Sequence, residues 1–212
     1  MVQRKKSLIL LMGITLSLAA CLNFKQPRNK IEYYTLEYTS PFVGDYRPLP
    51  YAIRVDQFSV SPIYNSNRII YRDKSFKRQA YAYYKWRANP GDFVSYFLNR
   101  DMKKAGLFKA ILSRNSSVPS SYLLEGTVDD FFELDGENDW QAVLSVSIVL
   151  MDEQEADISK KILFQKTYHA SKPCQRKHPR ALAQAMSMAM SEVSGKVIKD
   201  IYDYIEAGTA KN

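Results

Sequence analysis

Polar and apolar positions alternate with a period of two along most of the chain and take a helical period in two stretches. IEYYTLEY, Ile31 to Tyr38, mixes aromatic and β-branched residues and predicts a first strand. In YAIRVDQFSV, residues 51 to 60, Ile53 and Val55 share a face with Phe58 and Val60 only if one residue bulges at Asp56 or Gln57. NRIIYRD and RQAYAYYKW follow, separated by the polar KSFK, and predict a hairpin. The next segment is helical. Asn89 suits the cap, Pro90 the first turn and Gly106 the end, while Phe93, Val94, Phe97, Leu98 and Met102 fall on one face. FKAIL, from Phe108, predicts a short strand.

Three longer strands are predicted after the Ser-rich turn at residues 115 to 121. Their even positions are apolar: Tyr122, Leu124, Val128 and Phe132; then Trp140 through Leu150; then Ile162, Phe164, Tyr168 and Ala170. Short polar connections make them an antiparallel meander with one face on a core. A final helix, about Pro179 to Ala207, carries Leu182, Ala185, Met186, Ala189, Val193, Val197, Ile201 and Ile205 as one stripe. The fold class is α+β: a single domain with a mixed, largely antiparallel sheet and two principal helices packed on it.

Residues 1 to 20 follow neither pattern. Arg4, Lys5 and Lys6 precede a mostly apolar run from Ser7 to Leu18, shorter than the ~20 residues a spanning helix needs. That shape is a secretory signal. Leu18-Ala19-Ala20-Cys21 resembles the bacterial lipobox, which implies cleavage between Ala20 and Cys21 and acylation of Cys21. Leu22, in place of an aspartate, resembles an outer-membrane address. The expected organisation is a signal peptide at 1–20, a lipidated tether at 21–30, a domain at 31–207 and a tail at 208–212.

Removing residues 1 to 20 takes away three cations and no acids, so the formal charge falls from +8 to +5. No zinc-finger spacing, ribonucleoprotein signature or basic helix accompanies that excess, so no nucleic-acid partner is expected. With Cys21 acylated, Cys174 is the one remaining thiol, and no intramolecular disulfide can form. Its flanks, SKPCQRKHP, are too polar for an obvious core position.

Catalysis needs a nucleophile, base or metal in a constellation. The two histidines, His169 and His178, lie in no metal-ligand spacing, and no nucleophile elbow, phosphate loop or zinc-helix motif is present. Asp129, Asp130, Glu133, Asp135, Glu137 and Asp139 cluster about a hairpin, but their spacing departs from a calcium loop and suits a solvated turn. The chain is therefore expected to be no enzyme, with no metal and no cofactor. Two patches remain. Tyr81, Tyr83, Tyr84 and Trp86 fit either a partner surface or a half-buried strand. Lys172, Arg176, Lys177 and Arg180 crowd the start of the last helix and fit either an anion or headgroup contact or a basic solvated loop.

The lipobox, YYTL at Tyr33 to Leu36, Arg68, Ile69, Tyr71 and Arg72 in the hairpin, Trp86 before the helix, and Gly106-Leu107-Phe108 after it together resemble the ABC-type transport auxiliary lipoproteins, the PqiC-like family. Ser61-Pro62 is displaced from the family's usual V-x-x-P position, in keeping with a bulge. The resemblance implies a non-catalytic, lipid-anchored periplasmic component working beside a mammalian-cell-entry-domain protein, an ABC permease and an ATPase. Their cargo would be phospholipid or another hydrophobic molecule crossing the bacterial envelope. The membrane is engaged through the N-terminal lipid, outer in preference to inner, and self-association is compatible with the resemblance. The competing reading is an envelope lipoprotein that regulates or scaffolds cell-wall synthesis or a secretion apparatus.

Overall fold

The structure is a computed structural model that describes residues 30–73, 75–136 and 139–209. Cys21 and the predicted signal and tether up to residue 29 lie outside the described residues. From Ile31 onward the chain forms one compact unit. Its organiser is the longest strand, β7 (Tyr122–Asp135), which pairs along one edge with antiparallel β8 (Trp140–Asp152). β8 pairs in turn with β9 (Ile162–Pro173), completing the predicted meander.

The other edge of β7 is shared by three short strands in succession. At its start it takes parallel β2 (Leu49–Val55), in its middle β3 (Ser59–Val60), and near its end β4 (Arg68–Arg72). The sheet therefore forks. One branch continues from β2 to parallel β6 (Phe108–Ser113); the other runs from β4 to antiparallel β5 (Arg78–Trp86) and then parallel β1 (Glu32–Tyr34). A mixed sheet results, antiparallel in its meander and parallel where the branches join β7.

The predicted bulge explains why β2 and β3 are separate. Val55 pairs with Leu124 and Ser59 with Thr127, so four steps on one strand match three on the other. A second irregularity, between Val128 and Asp130, corrects the face assigned to Phe132. Phe131 turns toward Trp86 and Phe93, while Phe132 stacks on Tyr64 at 5.8 Å and receives the Arg72 guanidinium at 4.0 Å. The extra residue inverts the alternation from that point.

Helix α1 (Pro90–Ala105) forms as its local signals require. The Asn89 side chain accepts a hydrogen bond from the Gly91 N–H at 3.0 Å, and Gly106 ends the helix in the left-handed region at φ 67°. Its predicted apolar face is buried throughout. Helix α2 (Ile158–Lys161) is a single turn capped by Asp157 that the sequence pattern did not indicate. Helix α3 (Pro179–Thr209) covers β8 and β9 with every residue of the predicted stripe buried.

The predicted first strand shortens to three residues. Beyond Tyr34 the chain leaves the sheet and is held by side chains: Leu36 is buried, the Glu37 N–H donates to Ser187 Oγ of α3, and the Tyr38 hydroxyl donates to buried Asp101 of α1 at 2.7 Å. Ile162, predicted to face the core, is 56 % exposed because it directly follows α2 and precedes the regular β8–β9 register. Among the described residues no helix is long and apolar enough to cross a membrane.

Candidate functional site

The tyrosine-rich strand does not follow simple alternation. Ile70 pairs with Ala80 and Arg68 with Lys85, so Ile69 of β4 stands opposite four residues of β5, Tyr81 to Tyr84. This wide bulge brings Tyr81 and Tyr84 together, their rings 5.9 Å apart, with Tyr71 packed on Tyr81 at 4.9 Å and Tyr34 on Tyr84 at 6.0 Å. Tyr83, between them on β5, stays 47 % exposed. Strand bulges of this kind re-aim side chains and are favoured next to functional sites.

Trp86 is corrected. It is 1 % exposed, edge-on to Phe93 and Phe131, and belongs to the core between sheet and α1, not to a partner surface. The alternation that made it resemble its tyrosine neighbours ends where β5 passes under α1.

The basic loop meets the aromatic patch. His178 lies 6.3 Å from the Tyr84 ring, and Lys177 lies 6.0 Å from Tyr71 while forming an ion pair with Asp135. Asp135 also accepts the Trp140 indole N–H at 2.8 Å. Beneath them Glu133 is buried and accepts from the Tyr81 hydroxyl at 3.1 Å through both oxygens. Burial pushes the Glu133 carboxyl up, with Asp135 adding to the shift and Tyr81 and Lys177 opposing it. Cys174 is buried beside this cluster despite its polar flanks, and burial pushes its thiol up to about 12.

The four cations of the loop do not converge. Lys172 pairs with Glu192 of α3 and Lys177 with Asp135, whereas Arg176 and Arg180 are exposed and have no carboxylate partner among the described residues. The first turn of α3 is closed by His178: its Nδ1 accepts the Arg180 N–H at 3.1 Å. The acidic cluster is likewise dispersed. Asp129 accepts from Ser147, Asp130 from Tyr64 and Glu133 from Tyr81, and among the described residues no group of three could hold a metal ion. Glu137 lies outside the described residues.

The assembled site is thus an aromatic face bordered by Lys177 and His178 of the basic loop, placed at one fork of the sheet. Tyr71, Glu133 and His178 join it without having been expected; their contacts arise from the β5 bulge and from pairing across long sequence separations, which no local motif encodes. Along the opposite, exposed side of α1 a separate cleft of about 730 Å³ is lined mainly by polar side chains, including Gln57, Ser95, Asn99 and Arg114, with Tyr96 at its rim.

An α+β domain built on a forked sheet, with two long helices and an aromatic face, is the architecture; comparison then fixes the family. The model of the ABC-type transport auxiliary lipoprotein component matches residues 34–197, and the chain belongs to that family. By that description its members are lipoproteins accompanying ABC transport. The chain is also similar in fold to a crystal structure of a Xanthomonas campestris protein, at 16 % identity and TM-score 0.76, over 84 % of this chain and 99 % of that one. A second crystal structure, of a protein with no assigned function, matches at 13 % identity and TM-score 0.62 over 81 % of this chain and 99 % of the other. At these identities the likeness is one of fold. No protein of curated function matches the sequence.

Proposed function

We propose that this chain is a non-catalytic, lipid-anchored periplasmic auxiliary component of an ABC and mammalian-cell-entry-type system that moves phospholipid or another hydrophobic molecule across the bacterial envelope. The observation that carries the reading is the family match over residues 34–197. Residues 1–20 act as the signal peptide, acylated Cys21 anchors the chain in the outer membrane, residues 21–30 form the tether to the domain, and 208–212 form a tail. Tyr81, Tyr83 and Tyr84, with the basic loop that brings Lys177 and His178 against their cluster, form the surface that meets the mammalian-cell-entry protein or permease. The tyrosines suit that role because amphipathic rings bury area while their hydroxyls find polar partners.

The test is a mild-detergent pull-down of the tagged protein from its native membranes, with mass spectrometry of proteins and lipids. Recovery of a mammalian-cell-entry protein, permease or ATPase is expected. Recovery of cell-wall synthases or secretion components alone would replace this reading with that of an envelope scaffold.

A further inference from the structure

The positive charge of this protein is concentrated in one hairpin. Residues 68–87 contain seven cations and one acid, a net +6, whereas the chain from Cys21 onward totals +5, so the remainder of that segment, residues 21–67 and 88–212, nets −1. Among the described residues none of the hairpin cations pairs with a carboxylate, whereas nine such pairs occur elsewhere among them. At the turn Phe76 is wholly exposed, followed by exposed Lys77 and Arg78. An unshielded aromatic among uncompensated cations is the side-chain chemistry of attachment to an anionic lipid surface: the ring enters the headgroup boundary and the cations meet phosphates.

Chain direction adds an independent argument. β5 runs away from the turn, from Arg78 toward Trp86, and β1 lies parallel to it, with Glu32 opposite Tyr84 and Tyr34 opposite Trp86. The backbone therefore enters β1 from the turn side of the hairpin. From Tyr84 back to Arg78 is at most about 20 Å at ~3.3 Å per residue. The ten residues from Cys21 to Ile31 span at most roughly 33–36 Å when extended. An acyl group on Cys21 and the Phe76 turn can thus meet one bilayer surface together.

The geometry points to a second membrane contact: the Phe76 turn of the β4–β5 hairpin docks on anionic phospholipid of the membrane that holds the acyl anchor, fixing the domain's orientation. This rests on the lipid-anchored reading above, and the test separates the two. Full-length Phe76→Cys protein, purified from membranes in detergent, is labelled with an environment-sensitive fluorophore; buried Cys174, its thiol pushed up to about 12, is shielded from the label. It is reconstituted into vesicles of pure phosphatidylcholine and of phosphatidylcholine with one quarter phosphatidylglycerol, and followed by flotation and emission. The same label at Ile158→Cys, an exposed site on α2, is the control.

Flotation with both vesicles and a blue shift at position 76 only with phosphatidylglycerol is the expected result. Lys77→Glu with Arg78→Glu, at an exposed turn, should weaken that response about tenfold, as should high salt. Flotation without the shift keeps the anchor and overturns the docking. Failure to float with phosphatidylcholine overturns the anchor instead, and salt-sensitive binding to phosphatidylglycerol vesicles with the shift then still upholds the turn, whereas no binding overturns it. A shift produced by an acidic protein partner but not by phosphatidylglycerol also overturns it.

Discussion

Glu133 is a carboxylate whose charge state the fold alters. It is 1 % exposed, and its hydrogen bonds among the described residues come from one hydroxyl, that of Tyr81. Desolvation raises its pKa above the ordinary 4.5. A carboxyl with a raised folded-state pKa binds its proton more tightly in the native than in the unfolded chain. Stability therefore falls as pH rises from about 4.5 to the raised value, and the full penalty is present above that window. Glu133→Gln keeps the shape and an acceptor for Tyr81 while removing the charge. Urea unfolding across this pH window should show a shallower loss of stability in the variant; parallel curves would mean that another group carries the slope. Cys174 shows how such a site escapes sequence reading. Polar neighbours hid it, because the chain there leaves β9 and only the cysteine turns inward, its N–H donating to the Trp140 carbonyl.

At the scale of elements, local signals and paired register differ in what they reveal. Both long helices were legible to within a residue or two, since caps, left-handed glycine and apolar stripe all lie within the helix itself. The hairpin and meander were legible because alternation persists over many residues. The faces of Phe132 and of the β5 tyrosines were not, because a bulge is defined by the pairing of two strands: Ile69 of β4 faces four residues of β5, and Val128 to Asp130 of β7 spans a single step of β8. The turn KSFK read as a mere polar spacer, and the charge that makes it distinctive appears only when the hairpin is counted against the whole chain. Trp86 and Tyr83 illustrate the consequence. They sit three residues apart on β5, but one is core and the other surface. Trp86→Ala should cost about 3–5 kcal/mol by urea unfolding, and Tyr83→Ala should stay within roughly 0.5 kcal/mol of the parent. The same Tyr83→Ala protein should recover less partner in the pull-down. Equal destabilisation by the two substitutions would contradict the packing described for β5.

For the molecule as a whole, β7 is the shared trunk: the meander lies on one edge, and both branches depend on the other. Gly126 marks how tightly that junction is built, because a Cβ there would run into the Ser147 carbonyl and the Phe58 ring. α1 reinforces the trunk by packing against both β6 and β7, and Trp86 carries the hairpin branch into the same core through Phe131. Such coupling predicts one cooperative transition, not an independently melting hairpin. The two tryptophans allow the test, since Trp140→Phe leaves Trp86 as the sole indole, seated where the hairpin meets the trunk. Its fluorescence and the far-ultraviolet circular dichroism should give coincident urea midpoints. A lower midpoint for Trp86 would make the hairpin branch a separately folding appendage. Coincidence has a mechanical meaning for the proposed role. Chain entry at β1, the cationic turn and the tyrosine face would then move as one body, and a constraint applied at the membrane would be transmitted to the surface that meets the partner.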